Sequence, residues 1–237
     1  LPVVLASILS LILVAGVGYG VFKIIEPIRK KGVAVLIVTI GLAFLTQELV
    51  RIFYGTSNKN LPGFLKLTHT SGEAITRFEF LGLGMEVDRF FALMVSVVMI
   101  AVLWFFIDKT KTGKAVMATA QDEEAAMSVG IRPKLVNFVA ISFSAVLAGM
   151  AGIVTAPFYP IHFHMWLPPL IKAFSIVILG GLGSVWGSVL AAFILAITEA
   201  LARNLINPGL GEVMFLVVVL VILVVRPQVL LGKPLRF

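Results

Sequence analysis

The string Glu124-Ala125-Ala126, followed after three residues by Gly130, sits in a polar stretch between apolar runs. With Asp122 and Glu123 just ahead of it, segment 122–129 is expected to form a short amphipathic helix. Acids favour the partial positive charge of a helix N-terminus, and a glycine tolerates the left-handed backbone on which helices commonly end. A short helix lying across a loop is a ready docking surface. A purely structural loop helix would carry the same local pattern, so these residues alone leave both roles open.

A second constellation is Gly180, Gly181, Gly183 and Ser184, within the long apolar stretch 171–202. The run Gly181-x-Gly183-x-x-x-Gly187 lacks the dinucleotide-binding spacing and follows no soluble strand. The chain also has no G-x-x-x-x-G-K-[ST] sequence, so it carries no P-loop for ATP. Two compatible roles remain. One is close packing of helices; the other is a broken helix whose exposed backbone groups face a solute path within the membrane.

Other ionisable residues are sparse. Glu48 and Glu199 fall near the ends of apolar runs with Arg51 and Arg203 close by, as expected of anchors or local pairs. His162 and His164 form a His-x-His pair with no acid nearby, so no metal site is expected. There is no cysteine, hence no disulfide, thiolate nucleophile or zinc-cysteine site. No serine, histidine and aspartate set converges, and neither a catalytic site nor a cofactor is expected.

The elements that must position these residues follow from composition. Of 237 residues 59% are hydrophobic and 13% charged, where soluble domains approach about a quarter charged. Lipid is the solvent that fits, and charge-free runs such as 90–107 and 213–225 must be helical there, because backbone groups find no water to bond. The expected fold is all-α: a polytopic transmembrane bundle of about six full spans plus one re-entrant half-helix.

The spans are expected near 1–22, 32–54, 89–107, 136–156 and 185–202, with a last one after Asn207-Pro208 that Pro227 stops. Ala145, Ala148, Gly149 and Gly152 in the fourth would let another helix approach closely. Stretch 171–202 is too long for one span and too short for two, so 171–179 is assigned to a half-helix that turns at the glycines. Trp104, Trp166, Tyr54 and Tyr159 fall where interfacial belts are expected.

The net charge of +7 is gathered in short loops beside apolar runs, which orients a membrane protein and does not suggest nucleic acid. Loops 23–31 and 108–135 and the tail with Arg226, Lys233 and Arg236 are expected to be cytoplasmic; 55–88, 157–170 and 203–210 are expected outside. Residues 1–22 run into Lys23 without a basic leader and read as a true span. Because Leu1 already lies in an apolar run, an N-terminal helix or helices are expected to be missing.

Glu124-Ala125-Ala126 with Gly130 resembles the coupling motif of binding-protein-dependent importers, whose loop helix seats in a groove of an ATPase subunit. The hydrophobic-proline element of the motif's longest form is not kept, since Ile141-Ser142-Phe143 leads into Ser144. Glu26-Pro27-Ile28-Arg29, Thr112-Gly113-Lys114-Ala115, Gly130-Ile131, the stretch from Lys172 to Ser184, and Glu199-Ala200-Leu201 resemble the branched-chain amino-acid permease family of ABC transporters. The likeness covers essentially the whole chain and is nearer the LivH type than the LivM type. The resemblance implies a usual opening span with an asparagine-phenylalanine-alanine-histidine-glycine signature, which is expected to be missing here.

The resemblance implies one permease domain over 1–237, with 108–135 as its coupling loop. It implies Glu124, Ala125, Ala126 and Gly130 at the ATPase contact, and Gly180, Gly181, Gly183 and Ser184 along the translocation path. The implied partners are a LivM-like second permease, two ABC ATPase subunits, an external substrate-binding protein and membrane lipid, in a bacterial-type plasma (inner) membrane. The chain would be a transport subunit for branched-chain or related small amino acids, and not an enzyme. A self-sufficient channel or ion-coupled carrier for a small polar solute such as urea or an amide is the alternative; an internal inverted repeat or paired mid-membrane acids would favour it, and neither is found.

Overall fold

Apolar runs that cannot bond water close their hydrogen bonds along the chain, and the result is a series of helices. The computed structural model describes residues 3–29, 31–60, 67–68, 74–75, 77–80, 83–181, 183–205 and 211–225. In chain order the helices are α1 (Val3–Ile25), α2 (Gly32–Tyr54), α3 (Val87–Lys109), α4 (Lys111–Gln121), α5 (Glu123–Ser128), α6 (Pro133–Thr155), α7 (Leu167–Gly180), α8 (Val185–Leu205) and α9 (Gly211–Val225). A 3-10 turn, Glu26–Ile28, follows α1. The architecture is the expected helical bundle.

Among the described residues five helices are long and apolar enough to cross a membrane: Leu5–Ile28, Gly32–Tyr54, Val87–Lys109, Pro133–Thr155 and Val185–Leu205. Two are shorter. At about 1.5 Å per residue, the 14 residues of α7 reach about 21 Å and the 15 of α9 about 22 Å, against a hydrocarbon core of about 30 Å. Helix α7 is thus the half-helix read from the glycines, beginning slightly earlier because Pro168 and Pro169 suit a first helical turn. The sixth full crossing is met only by the shorter α9, and its expected cap, Asn207-Pro208, its stop, Pro227, and the basic tail lie outside the described residues.

Two elements differ from the sequence reading. The segment between α2 and α3, for which no regular structure was expected, contains two antiparallel strand pairs: β1 (Leu67–Thr68) with β2 (Ala74–Ile75), and β3 (Arg77–Phe80) with β4 (Leu83–Glu86). The alternation Arg77-Phe78-Glu79-Phe80 has the two-residue period of a strand. The stretch 111–121, read as loop, is helix α4.

The chain divides into two compact units, Leu1–Phe163 and His164–Phe237. In the first, α1 packs along α6 through small residues: a Cβ on Gly18 would lie 2.6 Å from that of Ala145, and one on Gly149 3.1 Å from Val14. Gly149 and Ala145 thus have the close-approach role expected of them, whereas Gly152 has open space beside it. Phe138 adds edge-on contacts to Tyr19 and Phe22, and Phe106 of α3 stacks on Phe143 of α6 with centroids 4.4 Å apart.

Side-to-side ties fix the two ends of this unit. Lys59 and Ile161 exchange backbone hydrogen bonds of 3.0 and 2.8 Å, joining the segments that follow α2 and α6. At the opposite ends, the Arg29 guanidinium after α1 bonds the Glu123 carboxylate of α5 at 2.8 Å. The loops assigned to one side by charge are therefore tied to each other. Helix α2 has no buried residue, and its Ile37, Phe44 and Phe53 are open, a surface suited to lipid or a partner helix.

In the second unit α7 and α8 run antiparallel, and Leu179, Ala191 and Leu195 form a core with Phe215 and Val219 of α9.

The elbow between α3 and α4 depends on Gly113. A Cβ there would come within 2.6 Å of the Ile107 Cα and 2.7 Å of its carbonyl oxygen, and closer still to the Phe106 carbonyl. Gly113→Ala should therefore cost about 2 kcal/mol and lower the thermal unfolding midpoint of the detergent-solubilised protein. Gly152→Ala, which meets nothing, should leave that midpoint unchanged or raise it. Equal midpoints for the two variants would contradict the packing described.

Candidate coupling surface and helix break

Thr110 ends α3 and starts α4. Its hydroxyl donates to the Phe106 carbonyl at 2.5 Å and accepts from the Gly113 N–H at 2.9 Å, so one side chain satisfies backbone groups of both helices. Asp122 links α4 and α5 through two groups: its backbone N–H donates to the Ala118 carbonyl and its carboxylate accepts from the Ala125 N–H at 2.9 Å. With Asp122 as N-cap and Glu123 and Glu124 in the first turn, the start of α5 is capped and its charge complements the helix dipole.

The far end of α5 is closed by Gly130, at φ +85°. The Gly130 N–H bonds the Met127 carbonyl at 3.0 Å and the Ile131 N–H bonds Ala126 at 3.1 Å, the paired pattern of a Schellman stop. The helix expected over 122–129 is present as Glu123–Ser128, and Gly130 ends it as the sequence indicated.

The short helix has two faces. Ala126 is 3% exposed and turned inward and Glu123 is half-exposed against Arg29, while Glu124, Ala125 and Ser128 are open, as are Met127 at 45% and Val129 at 76%. Three of the four motif residues, Glu124, Ala125 and Gly130, are therefore on the open surface, and Ala126 seats the helix on the protein. An acid beside exposed Met127 and Val129 is a surface that another protein can cover.

The glycine cluster lies in the other unit. Gly180 ends α7, and Gly181 and Gly183 take φ values of +97° and +87°, which side chains rarely adopt. Gly180 packs against backbone of Gly187 and Ser188 so closely that a Cβ would overlap both. Ser184 is the cap of α8: its hydroxyl accepts from the Gly187 N–H at 3.1 Å, and its carbonyl accepts from the Ser188 N–H at 3.1 Å. The C-terminus of α7 and the N-terminus of α8 thus meet at one turn, presenting partial charges of both signs without a full charge.

Glu199 is more than the partner of Arg203 read from local spacing. Its carboxylate accepts from Lys172 of α7 at 2.6 and 2.8 Å and from Arg203 at 2.6 Å, with Lys172 also 5.6 Å from the Phe215 ring centre. The Lys172 pairing crosses between helices and leaves no periodic trace in the sequence. Glu48 pairs locally with Arg51. Among the described residues no group of three or more His, Cys, Asp or Glu is placed to hold a metal.

A family model described as "Branched-chain amino acid transport system / permease component" matches residues 1–225. The chain belongs to that family. It is 25% identical over 228 residues to the high-affinity branched-chain amino acid transport system permease protein LivH of Escherichia coli K12, covering 95% of this chain and 73% of that protein. The permease protein BraD of Pseudomonas aeruginosa is 26% identical over a similar share. The permease protein LivM of Escherichia coli K12 is 29% identical over 75% of this chain and 46% of its own. No solved structure gives a significant match.

Within this permease component, Gly181→Leu and Gly183→Leu each force a bulky side chain into the left-handed region at about 1–2 kcal/mol. Both variants should reach the membrane at normal abundance and show reduced solute uptake per molecule. Normal uptake by both would leave the glycine turn without a special role.

Proposed function

We propose that this chain is the membrane-spanning permease subunit of an ATP-driven importer for branched-chain or related small amino acids. The observation that carries the reading is α5: a six-residue helix, capped at both ends and open on its outer face, in a member of a permease family. Glu124, Ala125 and Gly130 contact the ATPase, with Ala126 holding the helix to the protein beneath.

The sequence has no P-loop, so ATP is hydrolysed by other polypeptides and force enters through a surface contact. The assembly contains a LivM-like second permease, two ATPase subunits and an external substrate-binding protein, and the chain itself is not an enzyme. It resides in a bacterial-type inner membrane, with α4, α5 and the C-terminus in the cytoplasm and 1–237 acting as one permease domain.

Gly180, Gly181, Gly183 and Ser184 border the translocation path. An amino acid is a zwitterion, and the adjoining ends of α7 and α8 offer it weak complementary charges while keeping full charges out of lipid.

The test is the reconstituted assembly with two substitutions. Gly130→Val should disturb the helix stop and Glu124→Lys should reverse charge on the docking face. Both proteins should insert normally and lose most ATPase association or substrate-stimulated ATP hydrolysis. Undiminished ATP-dependent uptake by both would defeat the assignment of the docking face.

A further inference from the structure

We infer that Arg29 is a positioning residue that fastens the coupling helix to α1, so that a push on α5 reaches the α1–α6 pair through a second attachment. The inference rests on the docking reading of α5. Helix α5 is joined to α6 by the short link 129–132 and seated on the protein by buried Ala126. Arg29 adds a connection from the other side: its guanidinium meets Glu123 at 2.8 Å and lies 3.9 Å from Glu26.

Several observations make this more than a surface ion pair. Arg29 is about one-fifth exposed and its Nη1 is buried without a hydrogen-bond partner, so its pairing with Glu123 is partly shielded from solvent. Glu123 occupies the first position of α5, one residue after the Asp122 cap and three before buried Ala126. Residues three apart on a helix share a face. Glu123 and Ala126 thus fix the inner face while Glu124 and Met127 occupy the outer one.

At its other end Arg29 is joined, through the turn Glu26–Ile28, to α1, which lies against α6 at Gly18 and Gly149. A fork-shaped guanidinium between two carboxylates resists rotation better than a lysine ammonium would. Pro27 in the turn stiffens the attachment.

The experiment uses the complete reconstituted assembly in proteoliposomes, with labelled leucine as probe and uptake measured per ATP hydrolysed. Arg29→Gln and Glu123→Gln should each lower that ratio about fivefold, with ATPase association and basal hydrolysis unchanged. Arg29→Lys should fall between these and the parent. The exchanged pair, Arg29→Glu with Glu123→Arg, made with Glu26→Gln to remove a like neighbour, should recover much of the ratio, which a generally weakened fold would not.

An unchanged ratio in both neutral variants, or no recovery in the exchanged pair, overturns the inference. Glu124→Lys and Gly130→Val are measured alongside. If those two are impaired and Arg29→Gln is not, only the positioning role fails. If those two transport normally, the docking reading fails, and this inference with it.

Discussion

Every backbone N–H and C=O placed in hydrocarbon must find its partner within the protein, and the rest of this structure follows from that demand. It turns the apolar runs into helices and confines irregular backbone to places where a side chain or a tight turn can take over the unpaired groups. Among the described residues, helix ends closed in this way include the Thr110 and Asp122 caps and the Gly130 stop in the loop region after α3, and the turn from Gly181 to Ser184 within the apolar stretch. The residues proposed to do the work of the protein are gathered at the same helix ends. A helix interior in lipid has nothing to offer a solute or an ATPase, whereas an end has free dipoles and exposed side chains.

Helix ends were accordingly the legible part of the sequence. Gly130 announced its stop and the glycines around 181 announced a break, because each signal is local and depends on a backbone conformation that few residues tolerate. The spans were legible from length and charge. Helix α4 was not, since its short polar sequence has no sustained apolar stripe and its elbow depends on Gly113 lying against the backbone of Phe106 and Ile107. Strands β3 and β4 carried a two-residue alternation, but a short one within a stretch rich in turn formers.

The ion pairs were the least legible. Glu199 has a basic neighbour one turn away, and local spacing suggested that pair alone; Lys172 joins it only because α7 folds back along α8. Arg29 and Glu123 lie in separate loops, and nothing in either loop points to the other. The motif drew attention to Glu124, which is open, while the neighbouring Glu123 holds the helix down. Small-residue packing stands between these extremes: Ala145 and Gly149 were identifiable as a close-approach stripe, but not the helix that would meet them.

This chain should move its solute only when an ATPase drives it. The direct measurement is uptake of labelled leucine, isoleucine or valine into sealed proteoliposomes holding either the full assembly with ATP on the ATPase side or this chain alone. Accumulation is expected in the first, abolished when ATP is replaced by a non-hydrolysable analogue, and none above background in the second. Uptake by this chain alone, without ATPase subunits, would contradict that dependence.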